Sequence, residues 1–151
     1  MTGWIALLVA VAAALGYGLF WRSREGRVRP AGKNGAAAGV APAVPDHLPD
    51  GLRDRLGPPG DGAGVTLLQL SSAFCAPCRH TRLLLSHLAE RTEGVRHVEV
   101  DLTDHPEWST PLRVHRTPTT LALDGAGREL FRVGGVPRRE ELAAALRPHL
   151  P

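Results

Sequence analysis

The first feature of the hydrophobic pattern is an apolar run near the amino terminus. Residues 3–21, GWIALLVAVAAALGYGLFW, contain no charged side chain. As a helix this run would be about 28 Å long, close to the thickness of the hydrocarbon layer of a bilayer. Aromatic residues lie near both of its ends, with Trp4 at one and Tyr17, Phe20 and Trp21 at the other, as in membrane helices. The pattern predicts an uncleaved transmembrane anchor helix over 3–21.

The hydrophobic periodicity is lost over residues 22–63, where Pro, Gly and Ala recur. Such a composition is typical of a flexible linker rather than a packed element. One stretch of this range, DHLPDGLRDRL at 46–56, can form a short helical turn that packs on the following domain. We therefore predict a Pro/Gly/Ala-rich linker over 22–63.

The pattern becomes regular again in residues 64–151, which we predict to be a single domain. Short apolar or alternating runs predict strands, and a spacing of three to four between apolar residues predicts helices. The predicted strands are 65–71, 95–101, 119–124 and 128–135, and the predicted helices are 77–92, 105–114 and 138–150. The order β-α-β-α-β-β-α predicts an α/β fold with a mixed central sheet flanked by helices.

The charge distribution argues against nucleic-acid binding. The formal net charge is +3, but residues 65–151 hold 11 Arg against 10 acidic residues. Four arginines instead follow the apolar run directly, at Arg22, Arg24, Arg27 and Arg29, where a membrane surface is their natural partner. By the positive-inside rule they favour a cytoplasmic position for the domain, with the extracytoplasmic side as the alternative.

The chain has two cysteines, Cys75 and Cys78, in the motif FCAPC. A structural disulfide normally closes a longer loop, so this function is disfavoured. Covalent haem attachment requires a histidine directly after the second cysteine, where this chain has Arg79. Together with His80 the cysteines could form a metal site, although such sites usually need a second cysteine pair. A redox pair is favoured, and a Cys/His metal-binding module stays as an alternative.

The predicted position of the two cysteines suits redox chemistry. Cys75 follows a strand and precedes a helix, and Pro77 falls in the first helical turn, where a missing N–H group is tolerated. The positive end of the helix dipole would stabilise a thiolate on Cys75, and a thiolate is the species that attacks disulfides. Cys78, one turn further, is expected to be buried and to act as the resolving thiol.

Three segments carry a resemblance to a known family: FCAPC, RTPTT at 116–120 and FRVGG at 131–135. Together with the predicted element order they resemble the thioredoxin family over residues 64–150, and the layout is similar to membrane-anchored thioredoxin-like proteins. The resemblance implies a thioredoxin fold, a redox-active Cys75–Cys78 disulfide and a cis-proline at Pro118 that keeps metals from the thiols. It also implies that substrate is contacted by Phe74, Ala76, Pro77, Thr117, Pro118 and Gly134, with the Thr117 backbone pairing with the client.

The chain departs from the family pattern at several positions. Phe74 replaces a Trp, Ala76 replaces a Gly, and Gln69 stands where many thioredoxins have a buried acid that relays protons. Because an amide cannot exchange a proton in this way, either water, a Glu or a His elsewhere does so, or turnover is slow. The family's first strand and helix are shortened or missing.

We therefore predict a membrane-tethered thiol–disulfide oxidoreductase that acts on protein disulfides. It would be monomeric, would use no cofactor, metal or nucleic acid, and would receive electrons from an unidentified thiol or membrane donor. Its location would be the cell membrane, in contact with lipid through residues 3–21. A redox-inactive adaptor with the same fold is the second alternative.

Overall fold

The computed structural model describes residues 2–24, 26–30, 48–57 and 64–150. Its helices are α1 (Thr2–Arg24), α2 (Asp50–Leu56), α3 (Ala76–Arg91) and α4 (Arg139–Leu146), with 3₁₀ turns at Pro106–Trp108 and Arg147–His149. Its strands are β1 (Val28–Pro30), β2 (Val65–Ser71), β3 (Val95–Asp101), β4 (Thr119–Asp124) and β5 (Glu129–Gly134).

The five strands form one mixed sheet in the order β1-β5-β4-β2-β3. Strand β2 pairs in parallel with β3 and antiparallel with β4, while β5 pairs antiparallel with both β4 and β1. Every residue of β2 is buried. Four of the seven residues of VTLLQLS are Val or Leu. This composition fits a strand that is paired on both sides and covered on both faces, because such a strand has no solvent side.

Two apolar clusters cover the two faces of the sheet. One contains Leu68 and Leu70 of β2 together with residues of α2 and the 105–114 segment, and the other contains Leu67 of β2 with Leu85 of α3 and Leu142 of α4. Successive strand residues point to opposite faces, so β2 supplies side chains to both clusters. The sheet is thereby fixed from both sides, including at the end of β2 that leads into the cysteine motif.

The predicted mixed sheet with flanking helices is confirmed, and strands 65–71, 95–101 and 119–124 have the predicted bounds. The helix predicted over 105–114 is a single 3₁₀ turn, Pro106–Trp108, followed by further turns. The β4–β5 hairpin closes as expected at GAG, where Asp124 Oδ1 accepts hydrogen bonds from the N–H groups of Ala126 and Arg128.

The predicted linker over 22–63 contains two elements of structure. Strand β1 pairs with β5, and its three residues carried no strand pattern that sequence could detect. Helix α2 packs on the domain through Leu52 and Leu56, as the 46–56 stretch indicated. The end of α1 also falls in this range, and residues 25, 31–47 and 58–63 lie outside the described residues.

The apolar run over 3–21 is helical within α1, and its described side chains are exposed. Among the described residues, no helix has both the length and the mean hydropathy that crossing a bilayer requires. The helix is therefore observed, whereas the predicted transmembrane span is not supported.

Candidate active site

The cysteine motif occupies the junction between β2 and α3, as the sequence predicted. Cys75 is the N-cap residue of α3, and Pro77 lies in the first turn. Pro77 has no N–H to satisfy, which suits this position. The Cys75 N–H donates to the Ser72 carbonyl, and the Cys78 N–H donates to the Cys75 carbonyl, both at 3.1 Å. These bonds close two successive turns, 72–75 and 75–78.

The two sulfurs form a disulfide, with an S–S distance of 2.02 Å and a Cα–Cα distance of 5.3 Å. Their environments differ. Cys75 is half-buried, whereas Cys78 is only 3% exposed. An external thiol or disulfide can therefore reach Cys75 more readily than Cys78.

The residues flanking Cys75 form an exposed surface, which we call the client face: Phe74, Cys75, Ala76 and Pro77. Phe74 is 99% exposed, and Ala76 and Pro77 are exposed too. A large apolar side chain left wholly in solvent is informative, because folding does not account for it.

The peptide bond between Thr117 and Pro118 is cis, as the resemblance implied. Thr117 Oγ1 lies 3.0 Å from Ser72 Oγ, so the proline loop contacts the loop that precedes Cys75. Pro118 is buried, and its carbonyl accepts a hydrogen bond of 2.8 Å from the Gly135 N–H. The structure thus brings Thr117 and the cysteine motif together.

Gly134, the last residue of β5, pairs with Thr119 directly after the proline loop. Its carbonyl accepts a hydrogen bond from Arg116 Nη2 at 3.3 Å. A Cβ atom at Gly134 would lie 2.9 Å from the same nitrogen. The glycine therefore leaves room for the Arg116 side chain beside the proline loop.

Behind Cys78 lies a group of linked polar side chains that we call the buried polar network: Gln69, Ser71, His97 and Glu99, with Arg82 at its outer end. Gln69 is completely buried, and its Nε2 lies 2.8 Å from Ser71 Oγ, 3.0 Å from the Cys78 carbonyl and 3.1 Å from Glu99 Oε1. Two amide hydrogens thus serve three acceptors, so one hydrogen bond is shared. The amide connects the Cys78 backbone to a carboxylate.

His97 completes the network on the other side of the amide. Its Nε2 lies 3.2 Å from Gln69 Oε1, which can only accept, so the histidine carries its hydrogen on Nε2. Its Nδ1 lies 3.0 Å from Ser86 Oγ and accepts from that hydroxyl in the neutral state. Burial lowers the pKa of His97 below its usual value. The charge of Glu99 acts in the opposite direction but is outweighed, and the charge of Arg82 adds to the lowering.

Glu99 is the charged member of the network. It accepts from Ser71 Oγ at 2.5 Å, from Arg82 Nη2 at 2.9 Å and also from Arg82 Nε. Burial alone would raise its pKa, but the hydrogen bonds from Arg82 and Ser71 and the charges of Arg82 and His97 outweigh burial. The pKa of Glu99 therefore lies below its usual value, and the group is an anion at neutral pH.

Gln69 was recognisable from the sequence as a departure from the family pattern, whereas Ser71, Glu99, His97 and Arg82 were not. In the parallel register of β2 and β3, Gln69 pairs with Glu99 and Ser71 with Asp101. That register depends on the fold and is not visible in a single sequence. The available signal was the alternation of polar and apolar residues at 69–71 of β2 and at 97–100 of β3.

The structure does not bring metal-binding side chains together. In the ranges that the structure describes, there is no group of three or more His, Cys, Asp or Glu side chains able to hold a metal ion. His80, the third candidate ligand, is exposed on α3.

Comparisons with known proteins agree with this geometry. The family model described as Thioredoxin matches residues 61–148. The chain is 28% identical to a thioredoxin of Staphylococcus aureus over 89 residues, which is 58% of this chain and 85% of that protein.

Solved structures show the same fold. A thioredoxin variant of Halobacterium salinarum superposes with a TM-score of 0.57 at 18% identity, covering 74% of this chain and 97% of that one. A thioredoxin of Nicotiana alata gives 0.52 at 22% identity, covering 58% and 75%. Because the family model covers more than half of the chain and the fold, cis-proline and cysteine pair agree with it, this protein belongs to the thioredoxin family.

Proposed function

We propose that this thiol–disulfide oxidoreductase reduces or exchanges disulfides of protein clients while tethered to a membrane. The observation that carries the proposal is the disulfide at the start of α3, which joins a half-buried Cys75 to a buried Cys78. One sulfur is accessible for attack, and the other is protected until the first has reacted.

The reaction begins from the reduced pair. The Cys75 thiolate attacks one sulfur of the client disulfide, a mixed disulfide forms, and the other client sulfur leaves as a thiolate that takes a proton from solvent. Cys78 then gives its proton to solvent and attacks the Cys75 sulfur of the mixed disulfide. The Cys75–Cys78 bond forms, the bond between Cys75 and the client breaks, and the second client sulfur leaves as a thiolate that takes a proton from solvent. Two electrons have passed to the client. The Cys75–Cys78 disulfide is then reduced again by a donor that supplies two electrons, either a pair of thiols that becomes a disulfide or a membrane electron donor.

The start of α3 favours the first step. As N-cap residue, Cys75 lies beside the first N–H groups of a 16-residue helix, and its side chain makes no capping hydrogen bond in the disulfide form. Free N–H groups and the positive end of the helix dipole stabilise an anion at this position. The reduced Cys75 is therefore the better thiolate of the pair.

The client face and the proline loop supply the proposed docking surface. Phe74, Ala76 and Pro77 offer apolar contacts. Thr117 contacts Ser72 of the loop before Cys75, and Gly134 pairs with Thr119 just after the proline loop. An extended client segment can pair with the Thr117 backbone and place its disulfide near Cys75. This arrangement accepts many sequences, because backbone pairing does not read side chains.

A trapping experiment tests the activity. In Cys78→Ser the first attack still occurs but resolution does not, so mixed disulfides with a disulfide-containing peptide should accumulate and be detected by mass spectrometry. The control is Cys75→Ser, which should trap almost nothing because Cys78 is buried. No adduct with Cys78→Ser, together with no reduction of the peptide by the unmodified chain, would leave a redox-inactive adaptor as the better description.

Support for membrane tethering comes from the amino-terminal helix. Residues 3–21 contain no charge, and their described apolar side chains are exposed, including Trp4, Ile5 and Leu8. The arginines that follow favour the cytoplasmic side for the domain. In that location the net direction of the reaction would be reduction of clients.

Two measurements test the tether. The full chain should stay in the membrane fraction after alkaline carbonate washing, whereas Leu8→Arg with Val11→Arg should be released, because each central arginine costs about 2.5–3.5 kcal/mol. Release of both proteins would contradict the anchor. A reporter fused to the carboxy terminus tests the side, and an extracytoplasmic signal would overturn the proposed orientation.

A further inference from the structure

A charged side chain, Glu99, contacts the buried amide of Gln69. Gln69 is fully buried behind the cysteine motif, and its amide nitrogen contacts both the Cys78 carbonyl and Glu99 Oε1. Two successive contacts of 3.0 and 3.1 Å therefore lead from the backbone of the resolving cysteine to a carboxylate. Nothing in the reaction described above uses this carboxylate.

We propose that Glu99 is a positioning residue that sets the reduction potential of the Cys75–Cys78 pair, acting through Gln69. This inference rests on the oxidoreductase function proposed above. Glu99 fixes the amide that holds the Cys78 carbonyl, and its negative charge disfavours a thiolate at the motif.

The neighbouring charges cancel only part of the negative charge that Glu99 places near the cysteine motif. Arg82 of α3 pairs with Glu99, His97 lies beside it on β3, and Asp101 at the end of β3 is close enough to influence Arg82. The Arg82 side chain is 57% exposed, whereas that of Glu99 is 18% exposed. Solvent therefore screens the cation more strongly than the anion. His97 is neutral at pH 7, because burial lowers its pKa.

The direction of the effect follows from the redox states. Reduction of the disulfide takes up two electrons and gives two sulfurs, each of which is a thiol or, after losing a proton to solvent, a thiolate. A thiolate exists only in the reduced state, so whatever destabilises it favours the disulfide and lowers the potential. The charge of Glu99 acts in this direction, and its removal should make the pair more oxidising.

The first test compares reduction potentials in glutathione buffers at pH 7. Glu99→Gln keeps the shape and an acceptor oxygen for Ser71 and Arg82 but removes the charge. We expect the equilibrium constant for reduction to rise about tenfold, equivalent to about 30 mV. Arg82→Met should shift the potential in the opposite direction, because it leaves the charge of Glu99 uncompensated. The matched control is Asp124→Asn, which removes a carboxylate paired with Arg128 beside Val65, at the opposite end of β2; its potential should equal that of the unmodified chain.

The second test needs no substitution and so does not depend on a variant that folds. The carboxyl carbon of Glu99 is titrated by NMR in the oxidised and the reduced chain. By reciprocity, a thiolate that Glu99 disfavours must raise the pKa of Glu99, so the pKa should be higher in the reduced protein. A purely structural role of Glu99 predicts equal values.

The outcomes separate this inference from the function on which it rests. If the unmodified chain reduces disulfides but Glu99→Gln has an unchanged potential, or the pKa of Glu99 is equal in the two redox states, the role of Glu99 is overturned and the oxidoreductase function stands. If the unmodified chain forms no reversible Cys75–Cys78 disulfide, the function itself fails. A double variant, Gln69→Glu with Glu99→Gln, moves the carboxylate from β3 to β2 and should restore a low potential; a potential that stays as high as that of Glu99→Gln would count against a charge effect.

Discussion

The two sides of the cysteine motif differ in polarity and in exposure to solvent. On the client face, apolar side chains are exposed, and Phe74 is 99% accessible. In the buried polar network, the amide of Gln69 is fully enclosed, with its hydrogen bonds satisfied. Each side reverses the usual rule that apolar groups are inside and polar groups outside. The exposed apolar side suits recognition of a partner, and the buried polar side suits control of the chemistry.

The largest predicted effect separates the two sulfurs themselves. Cys75→Ser should abolish turnover of a disulfide peptide, because Cys78 is 3% exposed and cannot replace the attacking sulfur. Cys78→Ser should also stop turnover, but only after one attack per molecule. A rapid-mixing assay that counts released client thiols checks this: no release is expected for Cys75→Ser and one equivalent for Cys78→Ser. Equal release from both variants would mean that the two sulfurs are equally accessible.

The second prediction compares two leucines of α3. Leu85 is fully buried against the sheet, whereas Leu83 is 68% exposed. Leu85→Ala should lower the free energy of unfolding by about 2–5 kcal/mol, because it leaves a cavity in the core. Leu83→Ala, the matched control, should change it by less than about 0.5 kcal/mol. Urea titration measures both. Similar losses of unfolding free energy for the two variants would show that the Leu85 face of α3 is not packed against the sheet.

Much of the fold could be predicted because its main elements are locally encoded. The run VTLLQLS and the leucines of α3 specify a buried strand and an amphipathic helix without further information. Strand β1 was missed, since its three residues become a strand only by pairing with β5. The 105–114 segment was predicted as a longer helix because Pro106 is a good first-turn residue, yet only one 3₁₀ turn forms.

The candidate site also has a part that the sequence predicted and a part that depends on long-range pairing. Cys75, Cys78 and Pro77 form a contiguous motif, and Thr117-Pro118 was found by resemblance. The buried polar network could not be predicted from the sequence, because Gln69 and Glu99 are 30 residues apart and are brought into contact by the β2–β3 register. A single sequence does not reveal which polar residues of two apolar strands face each other.

The third prediction tests the client face by itself. Phe74→Ala should leave the free energy of unfolding nearly unchanged, because the side chain contributes little to the core. It should raise the KM for an apolar disulfide peptide about fivefold, as loss of an aromatic contact costs about 1 kcal/mol or more in binding. The control is Leu83→Ala, an exposed apolar residue on α3 outside the client face. Loss of stability without a change in KM would assign Phe74 to the fold instead of to recognition.

The smallest predicted effect concerns the buried polar network and its pH dependence. Burial lowers the pKa of His97 in the folded chain, so the unfolded chain binds more protons once the pH falls below the ordinary histidine value of about 6.5. Stability from this group is therefore fully present above about pH 6.5 and is lost as the pH falls towards the lower pKa of the folded state. Glu99, whose pKa is also lowered, acts in the same direction but at more acidic pH.

His97→Gln isolates that contribution, because the glutamine amide can still donate to Gln69 Oε1 but does not titrate. Between about pH 6.5 and pH 5, the free energy of unfolding of the unmodified chain should fall more steeply than that of His97→Gln. His80→Gln, at an exposed position on α3, should keep the slope of the unmodified chain. Equal slopes for His97→Gln and the unmodified chain would mean that the fold does not hold His97 neutral, and that the network carries a positive charge that opposes Glu99.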